Sequence, residues 1–317
     1  LLCLCDSPTL FSGLGRTCRE IALRLSKHYE VAVAGWHYRA NWHKFPFWIY
    51  VINKETTQEA RELVWIINHF NPDTVLCIGD PFNFEYMCPL NNLRPEIPEQ
   101  DAQFLRTGLK NHFVNQTKYI KWVLYTTIDG DPIPWEWGNI FRAYDDVIPC
   151  TEYGKRQIAT LFADNLHDPI HLGVDTSVYF KYDNTAQYRM KQGLEDAFVI
   201  LDDSQNTIRH NIMGTISAFA EFQRDKKTLL WLNCDPFDPS GSTLREEVKR
   251  HGIQKKVMYT SDKQVIFEGI TGVQLNAIYN FSDVLIRSSL NEGYGLPLIQ
   301  AMATGVIPIG TNYASIP

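Results

Sequence analysis

Short β-rich runs alternate along the chain with amphipathic helical periods. Residues 29–35 (YEVAVAG) alternate in the manner of a strand, and 74–78 (TVLCI) form a continuous apolar run that suits a strand buried on both faces. The same reading applies to 122–128 (WVLYTTI), 198–201 (FVIL), 228–232 (TLLWL) and 284–286 (VLI). Between these runs, Cys18, Ile21, Ala22 and Leu25 fall at i, i+3, i+4 and i+7. Ala60, Leu63, Val64 and Ile67 repeat the spacing, which predicts two amphipathic helices. Thr56 followed by Glu59 has the form of a capping box, and Asn71-Pro72 ends the second helix before the next strand. Further on, 151–163 reads as a helix, 169–174 as a short strand and 181–193 as a polar connection. A second strand–helix series then begins at Phe198.

Alternation this regular implies the α/β class, with parallel sheets covered by helices on both faces. Two similar Rossmann-like domains are expected, 1–180 and 181–317, facing a cleft, with ligands at the carboxyl ends of the strands. The last predicted strand is 306–309. An α/β half that ends there lacks its final units, so the second domain is expected to be incomplete and to expose apolar surface near its end.

The 317 residues suffice for two domains at roughly 100–200 residues each. With 44% hydrophobic residues and a net charge of -6, the chain is too apolar for disorder. No run of ~18 apolar residues occurs, so no spanning helix is expected. The seven cysteines are odd in number and scattered, with no CxxC pair, which argues against structural zinc and against a disulfide framework. A reduced, cytoplasmic compartment fits that usage. The mild acidity gives no general pull toward nucleic acid or anionic membrane, although a local patch can still provide one.

The most informative stretch is 291–305 (NEGYGLPLIQAMATG), which follows a buried strand and an Arg-Ser-Ser segment. Gly293 and Gly295 bracket Tyr294, and Pro297 suits the first turn of a helix that is expected to place Leu298, Ile299 and Met302 inward. Two glycines let backbone N–H groups crowd together at a helix N-terminus, where the dipole favours an anion. Glu292, just before this nest, is suited to accept hydrogen bonds from ligand hydroxyls. An ordinary Gly-rich strand-to-helix turn has the same pattern.

This stretch resembles the EGFGLP…EAMA…G signature of the retaining glycosyltransferases of family 4, which have the GT-B fold. Three further segments match in order: 12–16 (SGLGR), 170–180 (IHLGVDTSVYF) and 205–212 (QNTIRHNI). The spacing from 275–284 (LNAIYNFSDV) into the main signature also matches, so the resemblance spans nearly the whole chain. It implies a hexosyltransferase that holds a nucleotide-sugar donor, UDP- or GDP-linked, mainly with its C-terminal half. The amides of Gly293, Tyr294, Gly295 and Leu296 would bind the distal phosphate or the sugar, and Glu292 the sugar hydroxyls. Arg209 matches the Arg of the family's basic pair and would neutralise the diphosphate. Gly13 and Gly15 would bring the first glycine loop close to the phosphates. Two positions depart from the pattern. His210 stands where Lys is usual, and with a reference pKa of about 6.5 it is a weaker permanent clamp. Gln300 stands where a Glu usually grips the ribose, and it accepts hydrogen bonds without charge assistance.

Asp129-Gly130-Asp131 closes the strand 122–128 and precedes Pro132. Many family members carry a sugar-lining His at this strand end and some relatives an acid, so the resemblance places Asp129 beside the transferred sugar or the acceptor hydroxyl. Asp-Gly with Asp-Pro is also ordinary turn chemistry. The triplet has, besides, the DxD form with which metal-dependent GT-A transferases hold a divalent ion, a reading that needs one nucleotide-binding half and leaves the Glu292 signature unexplained. The aromatic run 36–50 (WHYRANWHKFPFWIY) has two readings. One is a β-hairpin packed on the sheet. In the other, Trp36, Tyr38, Trp42 and Trp48 stack on sugar rings, lipid or unpaired bases. Asp202-Asp203 reads as loop polarity. No His spacing supports a metal site, so no metal ligand is assigned and the nucleotide sugar is the only co-substrate expected.

The expected activity is transfer of a sugar from a nucleotide-diphosphate donor to a hydroxyl acceptor with retention of configuration. The rivals are a GT-A transferase, a non-catalytic or weakened sugar-nucleotide-binding protein, and a fold-sharing enzyme such as a sugar-nucleotide epimerase. The acceptor is open among glycan, lipid, protein, small molecule and modified DNA base, and so are a peripheral membrane contact and the oligomeric state.

Overall fold

The computed structural model describes residues 1–39, 44–53, 56–89, 105–114, 118–223, 227–239, 241–260 and 270–316. The chain divides into two compact units, Leu1–His171 and Leu172–Pro317.

In the first unit, β1 (Leu2–Asp6), β2 (Ala32–Trp36), β3 (Trp48–Ile52), β4 (Thr74–Ile78), β5 (Lys121–Thr126) and β6 (Asp146–Pro149) form one sheet in the order β3-β2-β1-β4-β5-β6. Every neighbouring pair is parallel. The sequence order reverses direction between β1 and β4, the switch point where open α/β sheets leave a crevice at the strands' carboxyl ends. The helices Gly13–Leu25 and Thr56–Phe70 follow the predicted periods. The stripe of the second, through Leu63 and Ile67, packs with Leu2, Leu4, Ala34, Trp36 and Trp122 of the sheet.

β2 and β3, which flank the stretch 36–50, do not pair as a hairpin. They run parallel, with Ala32 opposite Trp48 and Trp36 opposite Ile52. Trp36 is buried, and its indole Nε1 donates to Glu59 Oε1 at 2.8 Å. Glu59 is buried with it; the side chain of Thr56, and with it the expected capping box, lies outside the described residues, as does Trp42. Tyr38 and Trp48 are exposed. The helix predicted over 151–163 is shorter, Glu152–Ala159; it starts where Thr151 caps it by accepting from the Gly154 amide at 2.9 Å, and it ends at Thr160.

In the second unit, β7 (Phe198–Asp202), β8 (Thr228–Leu232), β9 (Val257–Tyr259), β10 (Val284–Arg287) and β11 (Ile307–Gly310) give a parallel sheet in the order β11-β10-β7-β8-β9. Adjacent residues on β7 serve opposite faces, as the two-residue period of a strand requires. Leu201 packs with Leu275, Tyr279, Leu285 and Leu298, while Ile200 packs with Ile212, Ile216, Leu230 and Val248. The switch point lies between β7 and β10.

Residues 172–180 pack with the second unit, ahead of the expected boundary near 180, because the helix Gly272–Asn280 holds them. Asn276 Oδ1 accepts from the Phe180 amide at 3.1 Å, Asn280 Oδ1 accepts from the Tyr182 amide at 2.8 Å, and Tyr179 joins the core. No strand forms over 169–174, and the polar connection 181–193 contains a helix, Thr185–Lys191. Arg189 on that helix donates to Asp283 Oδ2 at 3.0 Å and to the Phe281 carbonyl at 3.1 Å. At the sheet edge, Ile307 and Ile309 of β11 are exposed.

Candidate functional site

The switch point of the second sheet collects most of the predicted site. Arg287 ends β10, and Asp202 ends the neighbouring β7. After Arg287 the chain runs through Ser288 to Gly295 and enters the helix Leu296–Ala303, with Pro297 in its first turn as predicted. Gly295 has φ +79°, and a Cβ there would lie 2.7 Å from Ile316 Cδ1, so both backbone and space call for glycine. The helix phase differs from the prediction: Leu298, Gln300 and Ala301 are buried, while Met302 is exposed.

The turn Ile208–His210 is stitched to this loop. The Arg209 carbonyl accepts from the Leu290 amide at 2.7 Å, and Ser288 Oγ donates to the Asn211 carbonyl at 2.9 Å. Glu292, Arg209 and His210 are thereby brought together, and the two cationic positions act electrostatically on the carboxylate. Arg209 is exposed, whereas Glu292 and His210 are buried.

Glu292 Oε2 accepts from Arg287 Nη2 at 2.6 Å. Burial works against its charge, yet the Arg287 guanidinium, aided by Arg209, holds the carboxyl below its ordinary value. Arg287 is 4% exposed; its Nη1 donates to Ser204 Oγ at 2.9 Å and to the Asp203 carbonyl. Asp203 is fixed in turn, its carboxylate accepting from Tyr279 Oη at 2.6 Å and Asn233 Nδ2 at 2.7 Å. Asp202-Asp203 is therefore not loop polarity. Asp202 is 1% exposed and accepts from Ser204 Oγ; burial pushes its carboxyl up to about 6, opposed by Ser204 and by the charge of Arg287.

His210 presents Nδ1 to the Gln205 carbonyl at 2.7 Å, so that nitrogen carries the proton. Burial first, then the charge of Arg287, hold the imidazole below its ordinary pKa, which leaves it neutral at pH 7. Gln300 has Oε1 3.2 Å from the Tyr279 hydroxyl. The Tyr294 hydroxyl donates to the Leu172 carbonyl.

In the first unit, Gly13 opens the helix Gly13–Leu25 and is exposed. Gly15 serves packing: its amide donates to the capping Ser12 Oγ at 3.1 Å, and an added Cβ would meet Leu10 Cβ at 2.8 Å. Asp129 is half-buried just beyond β5. Asp80, beyond β4, accepts from Thr127 Oγ1. Burial chiefly pushes the Cys150 thiol up to about 12, with the charges of Asp129 and Asp80 adding to it. Asp131 is exposed. Among the described residues no group of three or more His, Cys, Asp or Glu is placed to hold a metal ion. No helix among them is long and apolar enough to cross a membrane.

Sequence reasoning missed Arg287 as a site residue, along with Asp80. The one signal for Arg287 was a charge closing an otherwise apolar strand.

No family model matches the chain. Over 145 residues, 45% of the chain, it is 29% identical to the N-acetyl-alpha-D-glucosaminyl L-malate synthase of Bacillus anthracis. Over 132 residues, 40% of the chain, it is 32% identical to the serotype-specific mannosyltransferase WbdA of Escherichia coli. These matches span 35% and 15% of the respective relatives. Among solved structures, Anabaena HepE in complex with UDP and glucose aligns with 99% of this chain and 81% of its own, at a TM-score of 0.68 and 13% identity. The chain has the glycosyltransferase GT-B fold, built of two parallel-sheet α/β units. Two such sheets do not favour the GT-A reading of the DxD triplet.

Proposed function

We propose that this chain transfers a hexosyl group from a nucleoside-diphosphate sugar to a hydroxyl acceptor, with retention of anomeric configuration, in the manner of family 4. The observation that carries this reading is the buried, ion-paired carboxylate of Glu292, set directly before a glycine turn at a helix N-terminus on a sheet switch point. The relatives support it: one is an N-acetyl-alpha-D-glucosaminyl L-malate synthase, one a mannosyltransferase, and one fold neighbour was solved with UDP and glucose.

Each residue then has a role. Arg209 and the amides of 293–296 take the charge that develops on the departing diphosphate; losing one such preorganised donor typically costs about 10²–10³-fold in turnover. Glu292 accepts hydrogen bonds from the donor sugar's hydroxyls. Asp129 of the first unit is the acceptor-side group of this reading. The acceptor oxygen bonds to the anomeric carbon as the bond to the diphosphate oxygen breaks. The diphosphate leaves with the bonding pair and takes up the acceptor's proton on the same face. His210, neutral at pH 7, contributes no fixed charge, and Gln300 lines the ribose side without one.

A thermal-shift panel of UDP-, GDP-, ADP- and CMP-sugars, read together with nucleoside diphosphate release, tests the reading. A true donor at 100 times its Kd stabilises the native state by about 2.7 kcal/mol. Stabilisation with release upholds the proposal. Stabilisation without release, over a range of acceptors, makes the chain a binding protein, and isomerised free nucleotide sugar makes it an epimerase. No stabilisation by any donor overturns it.

A further inference from the structure

We propose that Arg287 is the positioning residue of this site: it holds Glu292 by one carboxylate oxygen, keeps it ionised, and supplies the fixed positive charge that position 210 does not. The inference rests on the donor-sugar role given to Glu292 above and names what makes that role possible.

The guanidinium is anchored at both ends. Nη1 is tied to the β7 side, through Ser204 Oγ at 2.9 Å and the Asp203 carbonyl, and Nη2 reaches Glu292 Oε2 at 2.6 Å. Asp203 is itself held by Tyr279 and Asn233, so Arg287 cannot swing without breaking a buried network. With Oε2 committed, the carboxylate has one orientation, and Oε1 is left for a ligand hydroxyl.

Charge leads to the same residue. The groups acting on Glu292 are Arg287 from β10 and Arg209 and His210 from the 208–210 turn; those acting on Arg287 from β7 are Asp202 and Asp203. His210 is buried with Nδ1 spent on a backbone carbonyl. Of the two buried cation-type positions, Arg287 alone is charged at every working pH. A lysine at 210 would set a second cation beside a 4% exposed guanidinium. Without Arg287, burial would drive the Glu292 carboxyl toward its protonated form, which accepts from sugar hydroxyls less strongly.

The test uses the full chain with 13C-labelled glutamate side chains, titrated by NMR as wild type, Arg287→Met and Arg287→Lys, with Glu292 assigned by Glu292→Gln. Glu292 should titrate below the ordinary glutamate value of about 4.3 in the wild type and in Arg287→Lys, and above it in Arg287→Met. Where donor turnover is measurable, Arg287→Met should lower kcat by about 10²-fold at pH 7 and bring an acid limb into the pH profile, with partial rescue by lysine. A merely structural role would lower Tm and leave both the titration and the pH limb where they were. Wild-type Glu292 titrating at or above about 4.3, or an unchanged titration in Arg287→Met, overturns the inference. Should Arg287→Met fail to fold, the wild-type and lysine titrations decide. Should no nucleotide sugar be turned over, the proposed function fails while the titration still judges Arg287.

Discussion

Replacing Asp202 with asparagine should stabilise the protein at neutral pH and do nothing of the kind in acid. Burial raises the Asp202 carboxyl from 3.8 to about 6. As pH rises, the unfolded chain releases this proton before the native state does. Between those values the native state therefore binds more protons, and stability falls as pH increases. The gap is about 2 units at 1.36 kcal/mol each, so Asp202 costs about 3 kcal/mol above pH 6. Asparagine keeps the oxygen that accepts from Ser204 Oγ and removes the ionisation. Its advantage over wild type should grow from the value at pH 4 by about 2 kcal/mol at pH 7. For a unit of about 150 residues that is roughly 4–8 °C in Tm. Calorimetry of both proteins at pH 4, 5, 6 and 7 reads it directly. Repacking the amide adds a constant that shifts every point equally, so the change across pH decides the matter. A Tm difference that stays flat from pH 4 to 7 would show that Asp202 is not held protonated by its surroundings.

Four other substitutions follow from the geometry. Glu292→Ala should abolish transfer and also cost about 3 kcal/mol of stability, since Arg287 loses its buried partner; denaturation should show much of that loss regained in Glu292→Ala with Arg287→Met. Arg209→Ala should weaken binding of the free nucleoside diphosphate by about 1.5–3 kcal/mol in calorimetry, with little effect on Tm because the side chain is exposed. His210→Lys should lower Tm, because it buries a second cation beside Arg287, and a raised Tm would contradict the charge assignment. Gly15→Ala should destabilise the first unit by about 1–3 kcal/mol in denaturant, since its Cβ would meet Leu10 Cβ at 2.8 Å and the Ser7 carbonyl oxygen at 2.9 Å.

The parallel strands were legible because strands buried on both faces leave unbroken apolar runs, and 74–78 and 228–232 mark β4 and β8 residue for residue. The aromatic run 36–50 was not, because alternation looks the same in a hairpin and in a parallel edge strand; only the pairing of Ala32 with Trp48 separates them. The phase of the helix Leu296–Ala303 was lost for a different reason. A two-turn helix offers too few positions to define a stripe, and Gln300 turns inward because Tyr279 gives its amide a buried partner. Arg287 was invisible as a site residue because its partners lie far off in sequence: Ser204 is 83 residues away, and only the β7–β10 pairing brings the two together.

The two units place opposite chemistry at equivalent strand ends, and that contrast bears on which substrate each one takes. Beyond β4 and β5 of the first unit stand Asp80 and Asp129, close enough to act together on the Cys150 thiol. A diphosphate brought against those carboxylates would meet like charge, whereas an acceptor hydroxyl would find acceptors for its hydrogen. The second unit offers Arg209, a neutral His210 and the glycine turn, with the buried Glu292 carboxylate already paired to Arg287. On the proposed reading, a nucleoside diphosphate there would meet positive charge and its sugar an oriented carboxylate. The proposed division into donor and acceptor sides follows from this charge arrangement as well as from the glycine signature. It also accounts for an acid at position 129, since a sugar or hydroxyl group tolerates a carboxylate neighbour that a phosphate would not.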